Sequence, residues 1–206
     1  MLKKLTEEQQ EHILDVATKE FGEKGLDAAN INHIAKCSSV SVGVIYKYYG
    51  NKEKLFLACL NRSLSHLGEK LQDAVCDAKD FRTTVSYLIS AAITFSKEHR
   101  EEIRMYHWIT TTSGKMAKAY AREIEAASSK LYRELFSKAK SDGFMSMEMD
   151  PDAFAFFFDN LLMMLQFSYG CDYYDERRKL YLKEKDEDAF VTSQMVWILE
   201  NALGMK

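Results

Sequence analysis

Apolar residues recur at helical spacing along most of the chain. Before residue 25 they fall at Ile13, Val16, Ala17 and Phe21, and from residue 52 they line one face of a long segment. Positions three and four residues apart share one face of an α-helix, so this spacing predicts amphipathic helices. One proline and nine glycines leave few places where helices can break. The pattern predicts an all-α protein.

Capping residues indicate where the first helices begin. Thr6, Asn30, Ser41 and Asn51 can each accept a hydrogen bond from a first helical turn, and Gly25 can end a helix in the left-handed conformation. The third and fourth helices are expected over 42–48 and about 52–75.

Breaks and start signals divide the rest of the chain. Asp150 followed by Pro151 is a helix start, and Asp142-Gly143 is a break. The charged stretch 172–188 is read as part helix or loop, and Gly204 is expected to end the last helix. The expected helices are 81–97, 101–111, 115–140, 151–169 and 189–203.

The segment 30–54, NINHIAKCSSVSVGVIYKYYGNKEK, has the pattern of two short helices across a tight turn. Small Ala35 allows the two helices to cross closely. This is the geometry of a helix-turn-helix, whose second helix enters the DNA major groove. The apolar positions that carry the pattern are Ile31, Ile34, Ala35, Val40, Val44 and Ile45.

Charge supports this interpretation once it is mapped along the chain. The 206 residues carry a net charge of −3, with 47% apolar and 29% charged residues, as in ordinary globular proteins. Residues 30–62 hold five basic residues against one acidic residue, a local charge of +4. A local positive patch is expected of a DNA-docking face. A chance cluster on a solvated face explains the charge but not its coincidence with the helix-turn-helix pattern.

Cysteine use and the absence of long apolar runs bear on location. The four cysteines form no CxxC pair, which fits a reducing compartment. The first residues do not read as a signal peptide, and no apolar run approaches the roughly 20 residues of a membrane span. We expect a cytoplasmic protein without a membrane partner.

From residue 10 to residue 62 the chain resembles the tetracycline-repressor (TetR) family of bacterial regulators. The stretch FGEKGLDAANINHIAKCSSVSVGVIYKYYGNKEKLF carries the resemblance. It implies an all-α homodimer with a three-helix helix-turn-helix domain, here 1–51, and a helical effector-binding and dimerisation domain, here 52–206. It also implies binding to double-stranded operator DNA, release by a small molecule, and repression as the usual role.

Three positions depart from the family pattern. Ser39 replaces the turn glycine, which costs strain if the position needs positive φ. Val44 can contact a thymine methyl group but cannot hydrogen-bond. Gly50 removes a possible phosphate contact. These departures bear on the operator sequence rather than on the class of protein.

The candidate DNA contacts lie on or beside the second helix of the motif. Lys47 is its long charged side chain, Tyr46 and Tyr48 offer hydroxyl groups, and Gly43 permits close backbone approach. By resemblance Lys52 contacts a phosphate at a helix N-terminus. The alternatives are a solvated lysine, tyrosines in the core and tight packing at the glycine. The full set is Asn30, Asn32, Ser41, Val42, Gly43, Val44, Tyr46, Lys47, Tyr48 and Lys52.

Segments 151–170 and 189–204 are apolar nearly all round. A helix without a polar face must be covered on both sides, so a partner subunit is the expected cover for one side. The alternative is a large monomer core. The candidate interface residues are Phe154, Phe157, Leu161, Leu165, Val191, Met195, Trp197 and Ile198.

The signal for an effector pocket is weak, since aromatic residues are usually core. Polar residues within apolar stretches are better hints because buried polar groups need partners. We expect an apolar pocket with few polar anchors, for a hydrophobic or aromatic effector that is cationic if Asp159 faces inward. The candidates are Phe95, Tyr106, His107, Tyr120, Phe158, Asp159, Asn160, Met163 and Gln166.

Rival functions find less support. No histidine lies in a Glu-x-x-His pair, and no Walker, GxGxxG or GxSxG motif occurs, so we expect no enzyme, metal or cofactor. A DNA-binding protein without an effector is the main alternative. A pure protein-interaction module would not need the positive patch on the motif.

Overall fold

The computed structural model describes residues 5–202, except the side chains of five residues, Asp77, Lys115, Met116, Ala119 and Glu123. Within that range the chain forms eleven α-helices, one short 3-10 helix at Lys183–Lys185 and no strand. The all-α prediction is confirmed. The helices are α1 Glu7–Ala28, α2 Ile31–Cys37, α3 Val42–Tyr49, α4 Lys52–Asp77, α5 Phe81–Glu98, α6 Arg100–Thr111, α7 Lys115–Ile124, α8 Ala126–Ser141, α9 Pro151–Gly170, α10 Asp172–Leu182 and α11 Asp188–Ala202.

The capping residues act as the sequence predicts. The side chains of Thr6, Asn30, Ser41, Asn51 and Asp150 each accept a backbone N–H from the helix that follows. Such a bond satisfies one of the N–H groups that a helix start leaves without a partner.

Gly25 adopts positive φ (70°), as predicted, although helical turns continue beyond it to Ala28.

Two expectations for the C-terminal part change. The helix predicted over 115–140 is two helices, because the backbone bends at Glu125 and its side chain turns inward to accept a hydrogen bond from the Tyr106 hydroxyl. No glycine or proline marks this bend, so the sequence carried no signal for it. The charged stretch is mostly helical and forms α10. The predicted end at Gly204 lies outside the described residues.

Two hydrophobic clusters fill the fold. The first joins α1–α4 to α6 through buried Phe21, Ile34, Ile45 and Phe56. The second packs the end of α4 against α5, α8, α9 and α11, with Phe158 at its centre. Helix α4 contributes to both clusters, so one 26-residue helix connects the N-terminal part to the C-terminal part.

Helix α6 packs closely on α1 because α1 has glycines at the contact. A Cβ atom at Gly22 would lie 2.6 Å from the Cβ of Glu101, and one at Gly25 would lie 2.9 Å from the Trp108 ring. A buried hydrogen bond adds to the junction, since the Ser63 hydroxyl of α4 donates to Glu102 of α6 at 2.6 Å. The N-terminal helices are therefore held firmly against α4 and α6.

No helix in the described range is both long enough and apolar enough to cross a membrane.

Replacing Gly22 by alanine should destabilise the protein. Alanine has the higher helix propensity, by about 1 kcal/mol, but its methyl group would overlap Glu101 and force α1 and α6 apart at a cost of about 1–3 kcal/mol. We expect a net loss of up to about 2 kcal/mol in urea unfolding at fixed protein concentration.

Gly68→Ala on α4 is the matched control, since a Cβ there would meet no atom within 4 Å. It should raise the free energy of unfolding by about 0.5–1 kcal/mol. Equal effects of the two variants would show that the α1–α6 contact is looser than described.

Candidate functional site

Helices α2 and α3 form the helix-turn-helix that the sequence predicts. Ile34, Ala35 and Ile45 are buried where the two helices cross. The turn between them closes through a hydrogen bond from the Val40 N–H to the Ala35 carbonyl, at 3.0 Å. Ser39 has φ 55°, so the expected strain at this replaced glycine is present.

The outer face of α3 is open to a ligand. Gly43, Tyr46 and Lys47 are exposed, Ser41 is exposed at the helix start, and Val42 and Val44 are half-buried beside them. Helix N-terminal residues and the outward face are the parts that approach base edges in this motif. The candidate contacts on α3 therefore share one accessible surface.

The tyrosines of α3 have different environments. The Tyr48 hydroxyl accepts a hydrogen bond from the Leu5 N–H at 2.6 Å, so it holds the segment before α1 in place. Tyr49 is half-buried, and burial raises its pKa to about 12. Tyr46 is 42% exposed and is the most accessible of the three tyrosines.

Lys52 has a structural role that the sequence did not reveal. Its ammonium group donates to the carbonyl oxygens of Asp27 and Ala29, at 3.0 and 3.3 Å. It therefore ties the start of α4 to the turn between α1 and α2, with one N–H left for a phosphate. Asn30 and Asn32 are exposed nearby, and the Asn30 side-chain oxygen caps α2.

A buried carboxylate, Glu20, anchors α2. It accepts hydrogen bonds from the Asn30 N–H at 3.0 Å and from Lys24 at 2.8 Å, and it lies 2.9 Å from His33 Nδ1. Burial acts to raise the pKa of Glu20, but the hydrogen bonds from Lys24 and Asn30 outweigh it and the pKa is lowered. Nothing in the sequence pattern distinguishes Glu20 from the exposed acids of α1.

The described residues contain no cluster of three or more His, Cys, Asp or Glu side chains suited to a metal ion. His33 and Cys37 are neighbours on α2, with Nε2 and Sγ 3.5 Å apart. Cys59 and Cys171 are buried, whereas Cys37 and Cys76 are exposed, and all four thiols are free.

A cavity of about 230 Å³ lies in the C-terminal part, between α4, α6, α8 and α9. Its apolar wall comes from leucines of α4, α8 and α9, and its polar groups converge from α6, α8 and α9. The described lining residues are Leu64, Leu67, Gly68, Leu71, Gln72, Tyr106, Ile124, Glu125, Ala127, Ser128, Leu131, Tyr132, Asp159, Leu162, Met163 and Gln166. An apolar cavity with a few polar groups is the usual form of a small-molecule site.

Four of the candidate pocket residues line this cavity: Tyr106, Asp159, Met163 and Gln166. Asn160 instead lines an adjoining, more open cavity of about 330 Å³.

The other candidate pocket residues lie elsewhere. Phe95 lies beside a separate cavity and stacks on His99, with ring centroids 4.4 Å apart. Phe158 is fully buried within an aromatic cluster. His107 packs edge-on against Phe167, and half-buried Tyr120 packs on the first core cluster. Side-chain direction, which the sequence pattern did not give, separates these residues from the cavity.

Glu125 is a charged cavity residue that sequence reasoning missed. Its Oε1 accepts a hydrogen bond from the Tyr106 hydroxyl at 2.9 Å. Burial raises the pKa of Glu125, and the hydrogen bonds from Tyr106 and Ser128 offset this only in part. Burial, and then the charge of Glu125, raise the pKa of Asp159 to about 6. Two carboxylates thus share a poorly solvated wall.

The helices proposed to meet a partner subunit expose a row of apolar side chains. Of the candidates, Phe157, Leu161, Trp197 and Ile198 are exposed, by 48–62%. Phe154 is buried in the second core, and Leu165, Val191 and Met195 are half-buried against it. Phe156 and Met164 of α9 join the exposed set.

Comparison with known proteins decides the class of the chain. Residues 13–59 match the family model of bacterial regulatory proteins of the tetR family. The uncharacterized HTH-type transcriptional regulator YhgD of Bacillus subtilis (strain 168) is 29% identical over 163 residues, which cover 76% of this chain and 82% of YhgD. The N-terminal part of the chain, residues 13–59, is therefore that of a TetR-family regulator.

Solved structures of regulators share this TetR-family fold. FadR from Bacillus subtilis in complex with stearoyl-CoA superposes with a TM-score of 0.75 at 14% identity, covering 93% of this chain and 97% of FadR. AibR in complex with isovaleryl coenzyme A and operator DNA gives a TM-score of 0.69 at 20% identity, and the match covers 92% of this chain and 97% of AibR. At such identities the likeness shows the fold alone.

Asp159→Asn should stabilise the protein above about pH 6. The raised pKa means that, between the ordinary value of 3.8 and about 6, the folded state holds a proton that the unfolded chain has released. Stability therefore falls as pH rises through this window, and an uncharged amide avoids the loss. We expect the difference in Tm between variant and wild type to grow from about pH 4 to about pH 7.

The control for this pH series is Glu134→Gln, which removes an exposed carboxylate of α8. Its Tm should follow that of the wild type throughout. A constant offset for Asp159→Asn at every pH would mean that the substitution acts through packing and not through charge.

Proposed function

We propose that the protein is a ligand-responsive transcriptional repressor that acts in the cytoplasm. It binds palindromic operator DNA as a homodimer and is released by a small, largely hydrophobic effector. TetR-family membership supports DNA binding and regulation. One observation carries the response to an effector: α4 begins beside the helix-turn-helix and forms a wall of the cavity from Leu64 onward.

DNA binding is proposed for residues 1–51. The exposed face of α3 would enter the major groove, with Lys47 reaching base edges or phosphates and Tyr46 donating to a phosphate. Lys52 lies at the start of α4, where N–H groups of the helix also attract phosphate. Its two bonds to the α1–α2 turn would hold the ammonium group in position.

The coupling between cavity and DNA would run through α4 and α6. An effector in the cavity touches Leu64 and Leu67 of α4 and Tyr106 of α6. Both helices pack on α1, and Arg62 of α4 forms ion pairs with Glu11 and Asp15 of α1, each at 2.8 Å. A small shift of α4 or α6 would therefore move the whole helix-turn-helix. In a dimer it would change the spacing of the two recognition helices.

The cavity favours this function over a DNA-binding protein without an effector. A structural DNA-binding protein has no use for a cavity in its core, since unfilled space costs dispersion contacts. A protein that takes up a ligand needs that space.

Homodimerisation is proposed through α9 and α11. Their exposed Phe157, Leu161, Trp197 and Ile198 form an apolar surface that a second copy would cover. Two copies of α3 could then read the two halves of a palindrome.

The first test is selection of the purified protein against a random DNA library at physiological salt. We expect enrichment of an inverted repeat, with an affinity that falls about 10³–10⁵-fold between about 50 and 200 mM salt. Lys47→Ala should weaken binding to the enriched site by about 1–3 kcal/mol if it reads a base, or reduce the salt slope by about 1 if it binds a phosphate.

Lys130→Ala is the control for this test, because it removes the same charge from an exposed position on α8, outside the helix-turn-helix. It should leave DNA binding unchanged. A folded dimer that enriches no sequence would contradict sequence-specific regulation in the absence of a ligand.

Trp197→Glu should separate the proposed dimer into monomers. A negative charge buried in the proposed interface would raise the dissociation constant by about 100-fold or more. Analytical ultracentrifugation over a concentration series measures this change. Met147→Glu is the control, because Met147 is 77% exposed in the loop before α9. A wild-type protein that sediments as a monomer at all concentrations would refute the dimer.

A further inference from the structure

The charges that line the inner cavity have one sign. Its described lining contains two carboxylates, Glu125 and Asp159, and no lysine, arginine or histidine. No described basic residue forms an ion pair with either carboxylate. Burying a carboxylate without a cation costs free energy, and the raised pKa of Asp159 reflects this cost. The burial of these two carboxylates therefore costs free energy in the folded protein, and a positively charged ligand would reduce that cost.

Gln166 provides a second, independent sign of a missing partner. The residue is 5% exposed, it lines the same cavity, and no described residue forms a hydrogen bond with its side chain. Buried amides are nearly always hydrogen-bonded in folded proteins. A polar group of a ligand in this cavity would give the amide a hydrogen-bond partner.

Gly68 keeps the cavity open. It lies in the interior of α4, where glycine costs about 1 kcal/mol relative to alanine. A Cβ atom at this position would meet no atom within 4 Å, in contrast to the close contact at Gly22. No packing requirement in the described part of the chain explains this glycine, whereas room for a ligand does.

The two carboxylates also lie at the boundary between the inner cavity and the more open one. Glu125, Asp159 and Met163 line both. The outer cavity contains Arg133, whose Nε and Nη2 donate to Asp152, at 2.9 and 2.7 Å. A positive group that enters from the outer cavity would therefore pass an arginine whose charge is offset by Asp152 before it reaches the two carboxylates.

We propose that this cavity binds a lipophilic amine in its protonated form, with the ammonium group between Glu125 and Asp159 and the apolar body against the leucines of α4 and α8. The proposal rests on the proposed function, since it names the chemical class of its effector. The ammonium group donates to the carboxylates and to the Gln166 oxygen. The rings of Tyr106 and Tyr132 line the same wall and attract a cation through their faces.

The same chemistry disfavours anionic ligands. A fatty acid would bring a third negative charge to a wall that already holds two. The phosphates of a coenzyme A thioester would meet Glu125 and Asp159 at the entrance, and like charges in a poorly solvated site repel strongly. The residues of this cavity thus point away from the acyl-CoA compounds bound in the FadR and AibR structures, which share only the fold.

The test is isothermal titration calorimetry at about pH 7.5 with four probes of matched chain length: decylammonium, 1-decanol, decanoate and decanoyl-CoA. We expect decylammonium to bind about tenfold or more tightly than decanol. Decanoate and decanoyl-CoA should show no measurable binding. Tighter binding of either anionic probe would overturn the proposal, and so would equal binding of decylammonium and decanol.

Substitutions test whether the probes bind at the wall that contains Glu125 and Asp159. Asp159→Asn keeps the size of the side chain and should weaken decylammonium binding about tenfold while leaving decanol unchanged. Gly68→Leu should abolish binding of both probes by filling the cavity. Glu134→Gln removes a carboxylate from the exposed face of α8 and should change neither affinity. Equal weakening by Asp159→Asn and Glu134→Gln would mean that only the overall charge matters, which contradicts the assignment.

Binding to the selected operator separates this proposal from the proposed function. Operator binding that persists while decylammonium fails to bind would overturn the ligand class and leave DNA binding intact. Binding of decylammonium with the expected variant pattern, but without release of the operator, would support the ligand class and contradict release by the effector.

Discussion

Three aromatic rings meet where α1, α4 and α6 cross, and the rest of the structure depends on this contact. Phe56 of α4 packs edge-on against Phe21 of α1 and against Trp108 of α6, with centroid distances of 5.2 and 5.3 Å. Gly25 lets the Trp108 ring approach α1 closely. Close-packed interiors transmit small displacements because they have little free space. The helix-turn-helix is therefore fixed to the helices that line the cavity.

This junction connects the two candidate sites through the same packed helices. The surface that would bind DNA is positioned by α1 and by the start of α4, while the cavity is lined by later turns of α4 and by α6. A ligand can shift the protein between two arrangements only if it binds one of them better. The unpaired carboxylates and amide of the cavity offer a reason for such a difference, since their environment changes when a complementary group arrives.

The sequence was most informative where local rules decide the structure. Caps at Asn30, Ser41 and Asn51 fixed the N-terminal helices, because a cap depends on a side chain and the backbone two or three residues away. The candidate cavity was harder to foresee. Glu125 is one acidic residue in a polar helical stretch, and its inward direction follows from a bend with no glycine or proline to mark it. Phe158 and Phe95 show the opposite case. Both were expected in the pocket, but Phe158 is buried in the core and Phe95 is buried beside a separate cavity.

The sequence by itself determined the helical class, the helix-turn-helix and its regulatory family, because these follow from periodicity, capping and a string of matched positions within about fifty residues. The tertiary structure alone decided which side chains line the cavity, that Lys52 holds the α1–α2 turn, and that Gly22 and Gly68 meet opposite environments. Each of these depends on contacts between helices that are distant along the chain, and helical periodicity specifies a face without specifying what that face meets.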